Sequence, residues 1–147
     1  MTATAPSTAP VNYLDFASSA LPALENVEEW ITRTPLNQAF VHLLKLRASQ
    51  MNGCAHCVKM HTADARKAGE SNERLDHLVV WRHVGSFTAA EKAALGWIEA
   101  LTCVDSQADY GPLRRDLRAH YSDDEITALT IVAGMINLWN RIQMSNH

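Results

Sequence analysis

Apolar residues recur along this chain at three- and four-residue steps, and no segment shows the strict alternation of a half-buried strand. The pattern predicts an all-α fold. From Val11 to Thr34 it reads as two short helices interrupted near Leu21-Pro22, the second carrying Leu24, Val27, Trp30 and Ile31 as an apolar stripe. Thr34-Pro35 supplies an N-cap and a first-turn proline for a helix running to about Met51. Its apolar face holds Leu36, Phe40, Leu43, Leu44 and Met51, while His42, Lys45 and Ser49 form a polar stripe on another side. Asn52-Gly53 ends that helix and lets the next begin at or near Cys54. This helix passes through Ala63, Ala65 and Ala68 to a C-capping Gly69, after which Ser71 or Asn72 starts a helix that breaks at Gly85.

Two capping boxes secure the second half: Thr88 with Glu91, and Ser122 with Glu125. The first opens a helix through Trp97 and Leu101 to about Cys103, the second a helix from about Ile126 to Ile142, with a short basic helix over Pro112–Tyr121 between them. Trp81, Trp97, Tyr13 and Phe16 read as packing residues, and the lone Cys103 as a buried small hydrophobe. The last helix is apolar on most of its circumference, so it is either central to the fold or covered by another subunit. An oligomer is expected. The architecture is a single-domain helical bundle of about six to eight helices over residues 11–147, preceded by a flexible tail at 1–10. The Cys-x-x-Cys pair sits at the N-terminus of a central helix in an antiparallel helix hairpin.

At 147 residues the chain is long enough to bury a core without staples. Its net charge of −3 argues against nucleic acid as a partner, and no stretch approaches the roughly 20 apolar residues of a membrane span. Met1–Pro10 resembles neither a secretory signal nor a transit peptide. Three cysteines without an export signal fit a reducing cytoplasm, where a Cys-x-x-Cys pair is more often catalytic than structural.

The chemistry concentrates in Cys54-Ala55-His56-Cys57-Val58-Lys59-Met60-His61. Near a helix start, free N–H groups and the helix dipole favour a thiolate. Cys54, Cys57 and His61 follow at steps of three and four and share one helix face. A Cys54–Cys57 disulfide is geometrically plausible, and His61 can exchange a proton with Cys57. Counting back from the turn puts His42 at about the level of His61, either as a fourth ionisable group or as a surface histidine. Zinc, inert buried thiols and a structural disulfide are the competing readings. A structural zinc site needs four protein ligands and no second Cys or His pair is visible. The dithiol redox site leads.

LLKLRASQMNGCAHCVKMHTADARKAG (Leu43–Gly69) resembles the core of alkyl hydroperoxidase D-like proteins within the carboxymuconolactone decarboxylase family. Arg74–Thr102 and the terminal INLWNRI (Ile136–Ile142) resemble other members. The resemblance implies an all-helical subunit forming homo-trimers or homo-hexamers, with a redox-active dithiol that reduces hydroperoxides or protein disulfides. It assigns peroxide attack to Cys57, resolution of the sulfenic acid to Cys54 and proton relay to His61, with His56 matching the histidine between the cysteines. The family relay also has a glutamate twelve residues before the first cysteine, and here that position is His42. A histidine there accepts a proton near neutral pH but is cationic once protonated.

The expected activity is therefore a two-cysteine thiol peroxidase acting on small organic hydroperoxides. An external dithiol or thioredoxin-like protein reopens its disulfide, and it needs no metal or organic cofactor. Two rivals remain: a cofactor-free lactone decarboxylase, which has no need of a dithiol, and a non-peroxidatic disulfide reductase or redox sensor.

Overall fold

The structure, a computed structural model, describes residues 5–147; of the tail expected at 1–10, residues 1–4 lie outside the described residues. Residues 5–12 carry no regular structure. The order is α1 (Tyr13–Phe16), α2 (Ala20–Thr32), α3 (Gln38–Asn52), α4 (Ala55–Lys67), α5 (Asn72–His77), a 3₁₀ segment (Leu78–His83), α6 (Ala89–Thr102), α7 (Gly111–Arg118) and α8 (Asp123–Met144). No strand occurs among the described residues, so the all-α expectation holds.

The two capping boxes form as expected, Thr88 and Ser122 each accepting from the N3 backbone while Glu91 and Glu125 reach back. Two other boundaries differ. The first interruption falls at Ala17–Ser19, and Pro22 lies inside the first turn of α2, where a missing N–H costs no intrahelical bond. Thr34-Pro35 does not open α3. Thr34 Oγ1 instead donates to the Ile31 carbonyl (2.7 Å) and closes α2, and Asn37 caps α3 by accepting from the Phe40 N–H (3.0 Å). An amide oxygen at the residue before the helix outcompeted the Thr-Pro pair three residues upstream.

The core is built on α3, α6 and α8. Leu43, Leu44, Leu46 and Ala48 of α3 are fully or almost fully buried, as are Leu95 and Ile98 of α6 and Leu129, Val132 and Ile136 of α8. α8 packs on α3 and α6 and also reaches α2, α4 and α7, so its broad apolar surface is explained within the subunit. Trp81 and Trp97 are core residues, and both indole N–H groups are satisfied, by Glu99 Oε1 (2.8 Å) and Thr130 Oγ1 (3.1 Å).

Four side chains depart from expectation, the first being Trp30 of the α2 stripe, which is exposed because only Ile31 of that helix is fully buried. Met51 is exposed at the end of α3. Phe16 is exposed on the four-residue α1, which buries none of its side chains. Cys103 is exposed too: it is the C-cap of α6, one residue beyond the last buried position, Thr102, where the chain leaves the core. The polar stripe of α3 is not a solvated face. Lys45 and Ser49 are buried and His42 is half-buried, because α4 and α8 pack over that side. No helix among the described residues is long and apolar enough to cross a membrane.

Candidate active site

The hairpin turn between α3 and α4 is a Schellman motif. Gly53 takes a left-handed φ of 72°, its N–H bonds to the Gln50 carbonyl (3.3 Å), and the Cys54 N–H bonds to the Ser49 carbonyl (3.1 Å). This delivers Cys54 as the extended N-cap of α4 and Cys57 in its first turn. The Cys57 N–H donates to Cys54 Sγ (3.4 Å), and the two cysteines are disulfide-bonded with Cα atoms 5.4 Å apart. Both are buried.

A buried amide network holds the turn against α8. Asn52 Nδ2 donates to Asn137 Oδ1 (3.0 Å) and Asn140 Oδ1 (2.9 Å). Asn140 in turn donates to Ser49 Oγ (3.0 Å), whose hydroxyl donates to the Lys45 carbonyl (2.8 Å). Asn137 donates to Thr102 Oγ1 on α6 (3.1 Å). Every polar side chain in this chain of contacts has a partner, which fixes the turn that aims the cysteines.

Beside the disulfide lies a cavity of about 470 Å³, with Cys57, His61, His56 and His42 in its wall. Cys54 is not among its lining residues. The hairpin brings His42 opposite His61, ring centroids 5.9 Å apart and planes inclined at 35°. Burial, reinforced by the neighbouring Lys45 charge, pushes the His61 pKa down to about 4, and the same two causes lower that of His42. Both rings are neutral at physiological pH. Their Nδ1 atoms are buried and have no hydrogen-bond partner among the described residues. Exposed His56 stands at the mouth.

Across the cavity, Glu28 of α2 accepts from buried Lys45 Nζ and from Trp139 Nε1 of α8 (2.9 Å), locking α2, α3 and α8 together there. Glu25 and Glu29 add two more carboxylates, and Asp64 of α4 a fourth. Sequence reasoning placed His42 correctly but missed Asn137, Asn140, Glu28, Trp139 and Asp64. Asn137 and Asn140 did leave a trace, two amides three apart in the mainly apolar second half of α8. Asp64 was also within reach, three residues after His61 on the same helix. Glu28 and Trp139 left none, since their meeting depends on how α2 and α8 pack.

Residues 18–100 match the family model described as the carboxymuconolactone decarboxylase family. Among curated proteins, the chain is 35% identical over 135 residues to the uncharacterized protein YdfG of Bacillus subtilis, covering 92% of each. It is 30% identical over 106 residues to the uncharacterized protein YnjA of Escherichia coli, covering 72% of this chain and 58% of that one. Among solved structures it superposes with TM-score 0.87 and 37% identity, over 95% of both chains, on an Agrobacterium tumefaciens protein of unknown function for which an AhpD antioxidant-defence role has been suggested. It shares its fold with an uncharacterized peroxidase-related protein from Silicibacter (TM-score 0.77, 20% identity, 86% of this chain and 67% of the other). The chain belongs to the carboxymuconolactone decarboxylase family, and within it to the AhpD-like proteins that carry a Cys-x-x-Cys pair.

Proposed function

We propose that the protein is a thiol-dependent alkyl hydroperoxide reductase of the two-cysteine type. The observation that carries this reading is that Cys57, and not Cys54, lines the cavity together with His61 and His42. In the reduced protein a neutral His61 takes the Cys57 thiol proton, and the imidazolium is stabilised only as the thiolate forms beside it. The thiolate attacks the terminal peroxide oxygen, the O–O bond breaks, and the alkoxide leaves as alcohol with a proton from His61. Cys57 is now the sulfenic acid. The Cys54 thiol displaces its hydroxyl as water, forming the disulfide. An external dithiol or thioredoxin-like protein supplies two electrons and two protons to restore both thiols. His42 assists His61 as a second neutral base, and His56 stands at the substrate entrance.

The antioxidant role suggested for the Agrobacterium relative agrees with this reading. The lactone decarboxylase alternative fits less well, because Glu25, Glu28, Glu29 and Asp64 outweigh the single Lys45 around the cavity and oppose a carboxylate-bearing substrate. The same acidic wall favours an uncharged hydroperoxide. Assembly into a homo-trimer or homo-hexamer is part of the proposal, supported by the exposed apolar side chains of Met60, Val79 and Val80. So is a cytoplasmic location, where the reductant is available.

Purified protein with excess dithiothreitol should consume cumene hydroperoxide, and Cys57→Ser should abolish consumption. Full activity in that variant rejects the assignment. Reversible disulfide formation with no peroxide consumption by the wild type replaces it with a disulfide reductase or redox sensor.

A further inference from the structure

Asp64 has no part in the thiol chemistry, yet it sits beside the two histidines that do. One donor atom from each of His42, His61 and Asp64 lies within 4.8 Å of the others. His61 and Asp64 are three residues apart on α4, and His42 comes from α3 across the hairpin. Among the described residues the Asp64 carboxylate makes only a long contact with Lys67 (3.9 Å), whose side chain is largely exposed, so little holds it away from a cation. His61 is 6% exposed, and the buried Nδ1 atoms of both imidazoles lack a partner among the described residues. Buried ring nitrogens are normally satisfied, so two orphans side by side point to a missing partner.

We propose that His42, His61 and Asp64 form a three-ligand site for a divalent transition-metal ion, zinc above all. Two imidazole nitrogens and one carboxylate oxygen are the donor set such ions take when a coordination position stays open. A tetrahedral zinc site brings its donors to roughly 3.3 Å from one another, so binding would draw the three side chains together. All three residues line the cavity, and the Asp64 carboxylate offsets part of the Lys45 charge that both imidazoles feel. The ion is an inhibitor and not a cofactor. It occupies lone pairs of His61 and His42 that must otherwise accept protons, a consequence that rests on the peroxidase reading, whereas the site itself does not.

The thiols bind zinc on their own account when reduced, so the test uses oxidised protein with any affinity tag removed. Cobalt(II) chloride is titrated in as a visible-absorbing probe, followed by zinc chloride as competitor. One equivalent of cobalt should give a d–d band that zinc displaces. Asp64→Asn should weaken binding at least tenfold, and so should His42→Ala. Because Asp64 is only half-buried, its variant keeps the fold, which far-ultraviolet circular dichroism verifies. Absence of the band overturns the proposal, as does cobalt affinity unchanged in Asp64→Asn. Neither outcome depends on whether the protein reduces peroxide.

Discussion

The imidazoles of His42 and His61 face one another across the α3–α4 hairpin with centroids 5.9 Å apart, at the position where the family resemblance places a glutamate. Two imidazolium ions this close in a buried site repel, and the His42 charge is one of the influences lowering the His61 pKa. In the proposed relay the pair would therefore act as two neutral bases that together hold one proton.

His42→Ala should slow oxidation of reduced Cys57 by cumene hydroperoxide roughly 100-fold, the lower end of the range for loss of a proton-transfer group. His42→Glu should recover most of the rate. Stopped-flow tryptophan fluorescence checks both, and an unchanged rate in His42→Ala would place that histidine outside the relay.

The buried neutral His61 makes stability depend on pH. Its folded-state pKa of about 4 lies below the ordinary 6.5, so between those values the unfolded chain binds a proton that the folded chain does not. Stability is full above the unfolded value and declines as pH falls toward the folded one. The loss from pH 7 to pH 5 should be roughly 2 kcal/mol, with His42 adding in the same direction. Urea unfolding of the oxidised protein with a chelator present measures it, and His61→Gln should flatten the dependence. A midpoint independent of pH over this interval would contradict the burial of a neutral ring.

Asn140→Ala should cost about 1–3 kcal/mol, since it leaves Ser49 Oγ without its donor and removes one acceptor from Asn52. Thermal unfolding reads the loss. A larger effect on disulfide reduction than on unfolding would show that the amide network acts mainly on the turn.

Residue patterns made the helical class legible, along with both capping boxes and the Gly53 break, because each depends on neighbours within about one helical turn. The His42–His61 approach was legible for the same reason, a short turn fixing the register of two antiparallel helices. Thr34-Pro35 misled because Asn37, closer to the helix, is the better cap. Cys103 misled because burial at a helix end is decided by where the chain turns away. Glu28, Lys45 and Trp139 come from three helices, and no local pattern reports that meeting.

The acidic cavity wall should be visible in substrate preference. An alkyl hydroperoxide bearing a terminal carboxylate should show a several-fold higher KM than its uncharged counterpart, the gap shrinking with added salt. Glu25→Gln combined with Glu29→Gln should narrow it. Equal KM values would remove charge from the basis of specificity.

The most direct measurement of the central claim is mass spectrometry of the reduced protein after a single turnover with one equivalent of cumene hydroperoxide. The account predicts a Cys54–Cys57 disulfide in the wild type and a dimedone-trappable sulfenic acid on Cys57 in Cys54→Ser. Cys57→Ser should show no oxidation at Cys54, and Cys103→Ser should behave as wild type. Sulfenic acid on Cys54 in Cys57→Ser, formed at the wild-type rate, would contradict it.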